Sequence, residues 1–134
     1  DKYIVTDKYI RKENFKKLNQ FLSSLQGPMD FTNFINNGSS ANTSVRTIYD
    51  VKLKPIRVNS ILQSNLFFNI YEFIIIADGF LYRMVRNLMG LNFELLKGRI
   101  TVEKARSLFS SVKLEKRPYR TAPAKGLCLQ KISY

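Results

Sequence analysis

Between residues 8 and 25, Phe15, Leu18, Leu22 and Leu25 recur at helical spacing, while lysine and arginine fill the opposite face. That period predicts an amphipathic helix, stopped by Gly27-Pro28. Met29, Phe31, Phe34 and Ile35 follow as a short apolar segment, read as helical and taken to include Asp30. Residues 36–44 are rich in Asn, Ser and Gly, which form turns and bury little. The period then changes to two. Across residues 46–58, Tyr49, Val51 and Leu53 fall on one side and Arg46, Asp50, Lys52 and Lys54 on the other, predicting a half-buried strand. Pro55 argues for an edge or a bend there. Residues 67–77 are apolar on both alternating faces, which predicts a central strand covered on both sides. The loop holding residues 60–65 would join the two as an antiparallel pair.

Asp78-Gly79 ends that strand, and a long helix is predicted over residues 80–97, with Gly98 as the glycine just past its end. A second helix should start after Thr101, a good N-cap, with Glu103 in its first turn. It would bury Val102, Ala105, Leu108, Phe109 and Val112. A basic stretch, KLEKRPYR, occupies residues 113–120, and residues 126–134 alternate as a last strand. The order of elements implies one α+β domain, without internal repeats.

The long helix divides into two stripes. Leu81, Met84, Val85, Leu88, Leu91 and Leu95 should face the core; Arg83, Arg86, Asn87, Gly90, Glu94 and Lys97 should form a polar stripe. Glycine in a helix interior costs roughly 1 kcal/mol relative to alanine, so Gly90 suggests a close approach at that point. One reading is a solvated face with a tolerated glycine. The other is an arginine presented into a cleft to hold a carboxylate or phosphate with its planar fork.

Composition adds a partner. Lysine plus arginine number 22 against 10 acids, a net charge of +12, which favours polyanions and nucleic acid first among them. An Asn-, Lys- and Ile-rich composition also fits an AT-rich genome, which weakens that inference. No apolar run approaches a membrane span; the longest, near residues 73–77, is strand-sized. With no histidine and a single cysteine, Cys128, the chain offers no Ser-His-Asp triad, no histidine-ligated metal, no multi-cysteine zinc site and no internal disulfide. No glycine-rich nucleotide-binding motif occurs. The chain starts without methionine, as an excised piece would.

Four blocks, in order, resemble the TruA-type tRNA pseudouridine synthase family. GFLYRMVRNLMG at residues 79–90 resembles its signature run; Asp30-Phe31 with Phe34 resembles its His-Asp-Phe segment; Val45-Arg46-Thr47-Ile48 resembles the Arg-Thr-Ile that opens a strand; TAPAKGLCLQKISY at residues 121–134 resembles its Ala-Pro-X-X-Gly-Leu-X-Leu close. Arg83 departs from the family's usual histidine, Met89 from valine, and Met29 from the histidine of His-Asp-Phe.

The resemblance implies the C-terminal half of a pseudouridine synthase fold: a mostly antiparallel sheet with helices packed on one face. It implies isomerisation of uridine to pseudouridine in tRNA, typically in the anticodon stem-loop, without cofactor or metal. The essential aspartate and the aromatic residue that stacks on the target base belong to the N-terminal half, which this sequence lacks. By the same resemblance, Arg86 pairs with that aspartate and Leu127 packs beside the target base. Arg83, Asn87, Lys97, Lys113, Lys116, Arg117 and Arg120 are the candidate RNA contacts. Asp78 reads as a turn residue, and Asp30 and Asp50 as poor substitutes for the aspartate. The expected partners are tRNA and, as the family often dimerises, a second copy of the chain. A non-catalytic RNA-binding or dimerisation module with the same fold is the alternative.

Overall fold

A computed structural model describes residues 2–6, 12–36, 43–57 and 69–126. Four strands, β1 (Lys2–Thr6), β2 (Gly27–Asp30), β3 (Val45–Arg57) and β4 (Asn69–Ala77), form an antiparallel sheet in the order β1-β4-β3-β2. Three α-helices, α1 (Lys12–Ser23), α2 (Met84–Leu96) and α3 (Val102–Ser107), and two 3-10 turns, Thr32–Phe34 within the apolar segment read as helical and Ala124–Gly126, complete the described elements.

In the first and the long helix the predicted core faces are the observed ones. Leu18, Leu22 and Leu25 of the first helical segment are buried, and so are all six residues of the apolar stripe from Leu81 to Leu95. They join Val51, Leu53, Phe73 and Ile75 of the sheet in a single apolar cluster. Gly98 takes a positive φ of 70°, with its N–H on the Leu95 carbonyl and the Arg99 N–H on the Glu94 carbonyl, so α2 ends in a Schellman motif. Thr101 caps α3, its hydroxyl accepting from the Lys104 N–H at 3.2 Å.

Several expectations are corrected. β1 and β2 have no counterpart in the sequence reading. Each is four or five residues long, and β2 contains both a glycine and a proline. These strands take their hydrogen bonds from distant partners: β1 pairs with β4, and β2 pairs with Val45–Ile48. Pro28 is tolerated because β2 is an edge strand. Asp30 therefore ends a strand instead of sitting in a helical segment.

Tyr49 does not share a face with Val51 and Leu53. The pairing jumps from Ile48–Ala77 to Asp50–Ile76, leaving Tyr49 as the extra residue of a β-bulge. The bulge shifts the alternation by one, so Ile48 joins the core and Tyr49 is 60% exposed. β4 is central, but its outer face is only partly buried among the described residues: Ile74 is half-buried and Ile76 is 49% exposed. α3 ends before Val112, which is 70% exposed. Gly126, the first residue of the strand expected over residues 126–134, ends a short 3-10 turn instead; the rest of that strand, with Leu127 and Cys128, and the loop of residues 60–65 lie outside the described residues.

Candidate active-site wall

The long helix starts one turn later than its period suggested. Residues 81–84 form a turn closed by the Met84 N–H on the Leu81 carbonyl at 3.0 Å. Arg83 adopts a left-handed conformation, φ 60°, which a right-handed helix cannot include, so α2 begins at Met84. Arg83 is thus a cap residue and not part of the helical stripe. It is exposed, with its guanidinium 5.1 Å from the centre of the exposed Tyr82 ring.

The middle of the polar stripe, at Asn87 and Gly90, is buried, while Arg83 and Lys97 at its ends are exposed. The chain after α3 crosses the stripe as an irregular strap, residues 113–123, bent at 115–116 and 118–119. At Gly90 the two backbones pack tightly: a Cβ there would overlap the Arg120 carbonyl oxygen and stand 2.9 Å from its carbon. Asn87 is completely enclosed. Its amide donates to the Phe34 carbonyl at 2.7 Å and to Asn36 Oδ1 at 2.9 Å, and its Oδ1 accepts from the Thr121 hydroxyl at 2.6 Å. An amide held this way has no free face for RNA.

Arg86 sits one turn before Gly90, half-buried. Its Nε donates to the Ala122 carbonyl at 2.8 Å, while the Ala122 N–H donates to the Arg86 carbonyl at 3.1 Å. This reciprocal pair fixes the guanidinium plane against the strap. The Nε edge is taken, and the Nη edge is the one available for a bidentate partner. Among the described residues no carboxylate pairs with it.

Arg117 is also anchored. It donates to the Ile35 carbonyl and, at 3.1 Å, to Asn36 Oδ1, and its guanidinium lies 6.0 Å from the Tyr119 ring centre. Lys97, Lys113, Lys116 and Arg120 are exposed. The carboxylates behave as spacers and caps. Asp78 accepts from the Thr47 N–H at 2.9 Å and returns its own N–H to the Thr47 carbonyl, a turn clasp at the end of β4. Asp50 pairs with Lys52 on the outer strand face. Asp30 accepts from the Thr32 N–H and from the Thr32 and Ser44 hydroxyls. Burial raises its pKa, but these donors outweigh burial and leave it below the usual carboxylate value.

Sequence reasoning missed what seats the strap. Asn33 is buried; its amide donates to the Leu108 and Val112 carbonyls, and its Oδ1 accepts from the Leu114 N–H at 2.9 Å. The Tyr119 hydroxyl donates to the Asn33 carbonyl, and its ring stacks on Phe34 at 5.6 Å. An asparagine beside Phe34 in an apolar segment was the only available signal. Burial pushes the Tyr119 phenol up to about 12, with Arg117 pulling the other way. A phenol that ionises at 10.0 when unfolded stabilises the fold fully below that pH, and the contribution is lost as pH rises toward 12. In an alkaline titration followed by tyrosinate absorbance, Tyr119 should contribute a late step, and Tyr119→Phe should remove it. A variant that still shows that step would assign it to another tyrosine.

A profile of the tRNA pseudouridine synthase family matches residues 22–134, covering the clasped arginine and the strap together. The chain belongs to the tRNA pseudouridine synthase family. Relatives named tRNA pseudouridine synthase A include those of Acetivibrio thermocellus, 40% identical over 123 residues, and Clostridium kluyveri, 35% identical over 124. That of Thermodesulfovibrio yellowstonii is 34% identical over 128 residues. The matches cover 92–94% of this chain but 46–49% of those relatives, so the chain spans about half the length of the synthases it matches. Among the described residues there is no group of three metal-ligating side chains, and no helix is long and apolar enough to cross a membrane.

Proposed function

We propose that this chain is one wall of a tRNA pseudouridine synthase active site, isomerising uridine to pseudouridine with an aspartate supplied by sequence outside these 134 residues. The observation that carries the reading is the clasp between Arg86 and Ala122 inside the family-matched segment. It holds the guanidinium in one plane, so that a facing carboxylate would be kept ionised and aimed by two parallel hydrogen bonds. The base is detached at its glycosidic bond, turned and rejoined through carbon. Product and substrate are isomers, so no co-reactant is required. Leu127 packs beside the target base, Arg83 and Lys113 contact RNA outside the site, and tRNA is held across a dimer.

The complete protein encoded by the gene that contains this chain should release tritium from tRNA labelled at uracil C5 and accumulate pseudouridine. The 134-residue chain alone should bind tRNA weakly, lose affinity steeply with salt, and form no pseudouridine. Pseudouridine formation by the isolated chain would overturn the assignment of the catalytic carboxylate to sequence outside it.

A further inference from the structure

A run of side-chain hydrogen bonds joins the strap to α2 next to Arg86. Asn36 Oδ1 accepts twice, from Asn87 Nδ2 at 2.9 Å and from Arg117 Nη1 at 3.1 Å. Asn87 Oδ1 in turn accepts from the Thr121 hydroxyl at 2.6 Å. Thr121 precedes Ala122 and Asn87 follows Arg86, so adjacent residues of the strap bond adjacent residues of the helix. The bonds lead from Arg117 through Asn36 and Asn87 to Thr121, and the Arg86–Ala122 clasp is the next in the series.

Each amide fits only one way round. Asn87 Nδ2 faces two acceptors, the Phe34 carbonyl and Asn36 Oδ1, and Asn36 Oδ1 faces two donors. Turning either amide over would set donor on donor or acceptor on acceptor. Asn87 is completely enclosed, where an unpaired donor is costly, so it has no alternative to these partners. Asn36 is half-buried, and its oxygen is bonded to both the helix and the strap. Asn87 and Arg117, expected as RNA contacts, spend these donors inside the protein.

We propose that Asn36 is a positioning residue for Arg86. Its oxygen acts through Asn87 and Thr121 to set where Ala122 stands, and so which way the Arg86 guanidinium plane faces. The importance of that plane rests on the synthase reading above, in which Arg86 faces the catalytic carboxylate. The acceptor is what matters at Asn36, not the amide. Aspartate has the same length and keeps that oxygen, and its charge strengthens the bond from Arg117; alanine removes it.

The test uses the complete protein. Asn36→Ala should lower kcat for pseudouridine formation roughly tenfold, with KM for tRNA changed by no more than about twofold. Asn36→Asp should stay within about twofold of wild type in both. In an Arg86→Ala background, Asn36→Ala should cost no further activity, because its effect passes through the guanidinium. Thr121→Val removes the hydroxyl with little change of shape. It should repeat both the kcat loss and the missing additivity, which covers the case in which Asn36→Ala does not fold. Hydrogen exchange of the Arg86 Nε–H is followed by NMR, the signal being assigned by its absence from Arg86→Ala. It should be roughly tenfold faster in Asn36→Ala than in wild type or Asn36→Asp. Full kcat in both Asn36→Ala and Thr121→Val, or the same fractional loss with and without Arg86, would overturn the positioning role. So would a loss in Asn36→Asp equal to that in Asn36→Ala. If exchange responds as expected but the wild type makes no pseudouridine, the synthase reading fails and the positioning stands. If pseudouridine forms and neither kcat nor exchange responds, only the positioning fails.

Discussion

In the complete protein, Arg86→Ala should reduce pseudouridine formation by at least about 10²-fold while leaving most of the tRNA affinity. The size follows from the role. Removing one partner of a partly buried ion pair typically costs on the order of 3–5 kcal/mol, because the remaining carboxylate is left without compensation. About 1.4 kcal/mol corresponds to tenfold in rate. Arg86→Lys should recover little. Lysine keeps the charge, but it cannot bond the Ala122 carbonyl with one edge and a carboxylate with the other. The fold should survive both changes, since the only described side-chain bond lost is the one to Ala122, worth about 1.5–3 kcal/mol for a charged donor. Turnover, affinity and thermal unfolding measured on the same preparations separate these effects. Wild-type turnover in Arg86→Ala would remove Arg86 from the site.

Gly90→Ala should destabilise the protein, against the sign expected for a helix interior. In an open helix the change gains roughly 1 kcal/mol. Here the added methyl meets the Arg120 carbonyl and stands 3.2 Å from the Tyr119 ring, so backbone must move. Overpacking of this kind costs typically about 1–3 kcal/mol, enough to offset the propensity gain. The strap would be lifted at the point from which Ala122 reaches Arg86, so activity should fall with stability. A denaturant titration showing unchanged or raised stability would mean that the strap does not rest on α2 at this position.

The elements with strong periods were legible in the sequence: the buried stripes of α1 and α2, the Schellman glycine, the Thr101 cap, and the antiparallel pairing of β3 with β4. Misread features depended on partners far away in the chain. β1 and β2 are strands because β4 and β3 offer them hydrogen bonds, and Tyr49 is turned outward by a one-residue offset that no local pattern contains. The candidate site follows the same rule. Gly90 signalled a close approach, but it could not say that the approaching group was the protein's own strap. Asn87 looked like part of a polar face because a buried, satisfied amide and a solvated one are the same letter.

The strap's attachments also constrain the order in which the domain is assembled. Asn33 and Ile35 receive Leu114, Arg117 and Tyr119 across sequence separations of 81 to 86 residues. Closing so long a loop is entropically unfavourable until a prepared surface rewards it. That surface consists of the turn around Phe34 and the flank of α2, which must already be packed together. During synthesis, the ribosome releases residues 113–123 after both. Arg86 is therefore made early but oriented late, when Ala122 arrives.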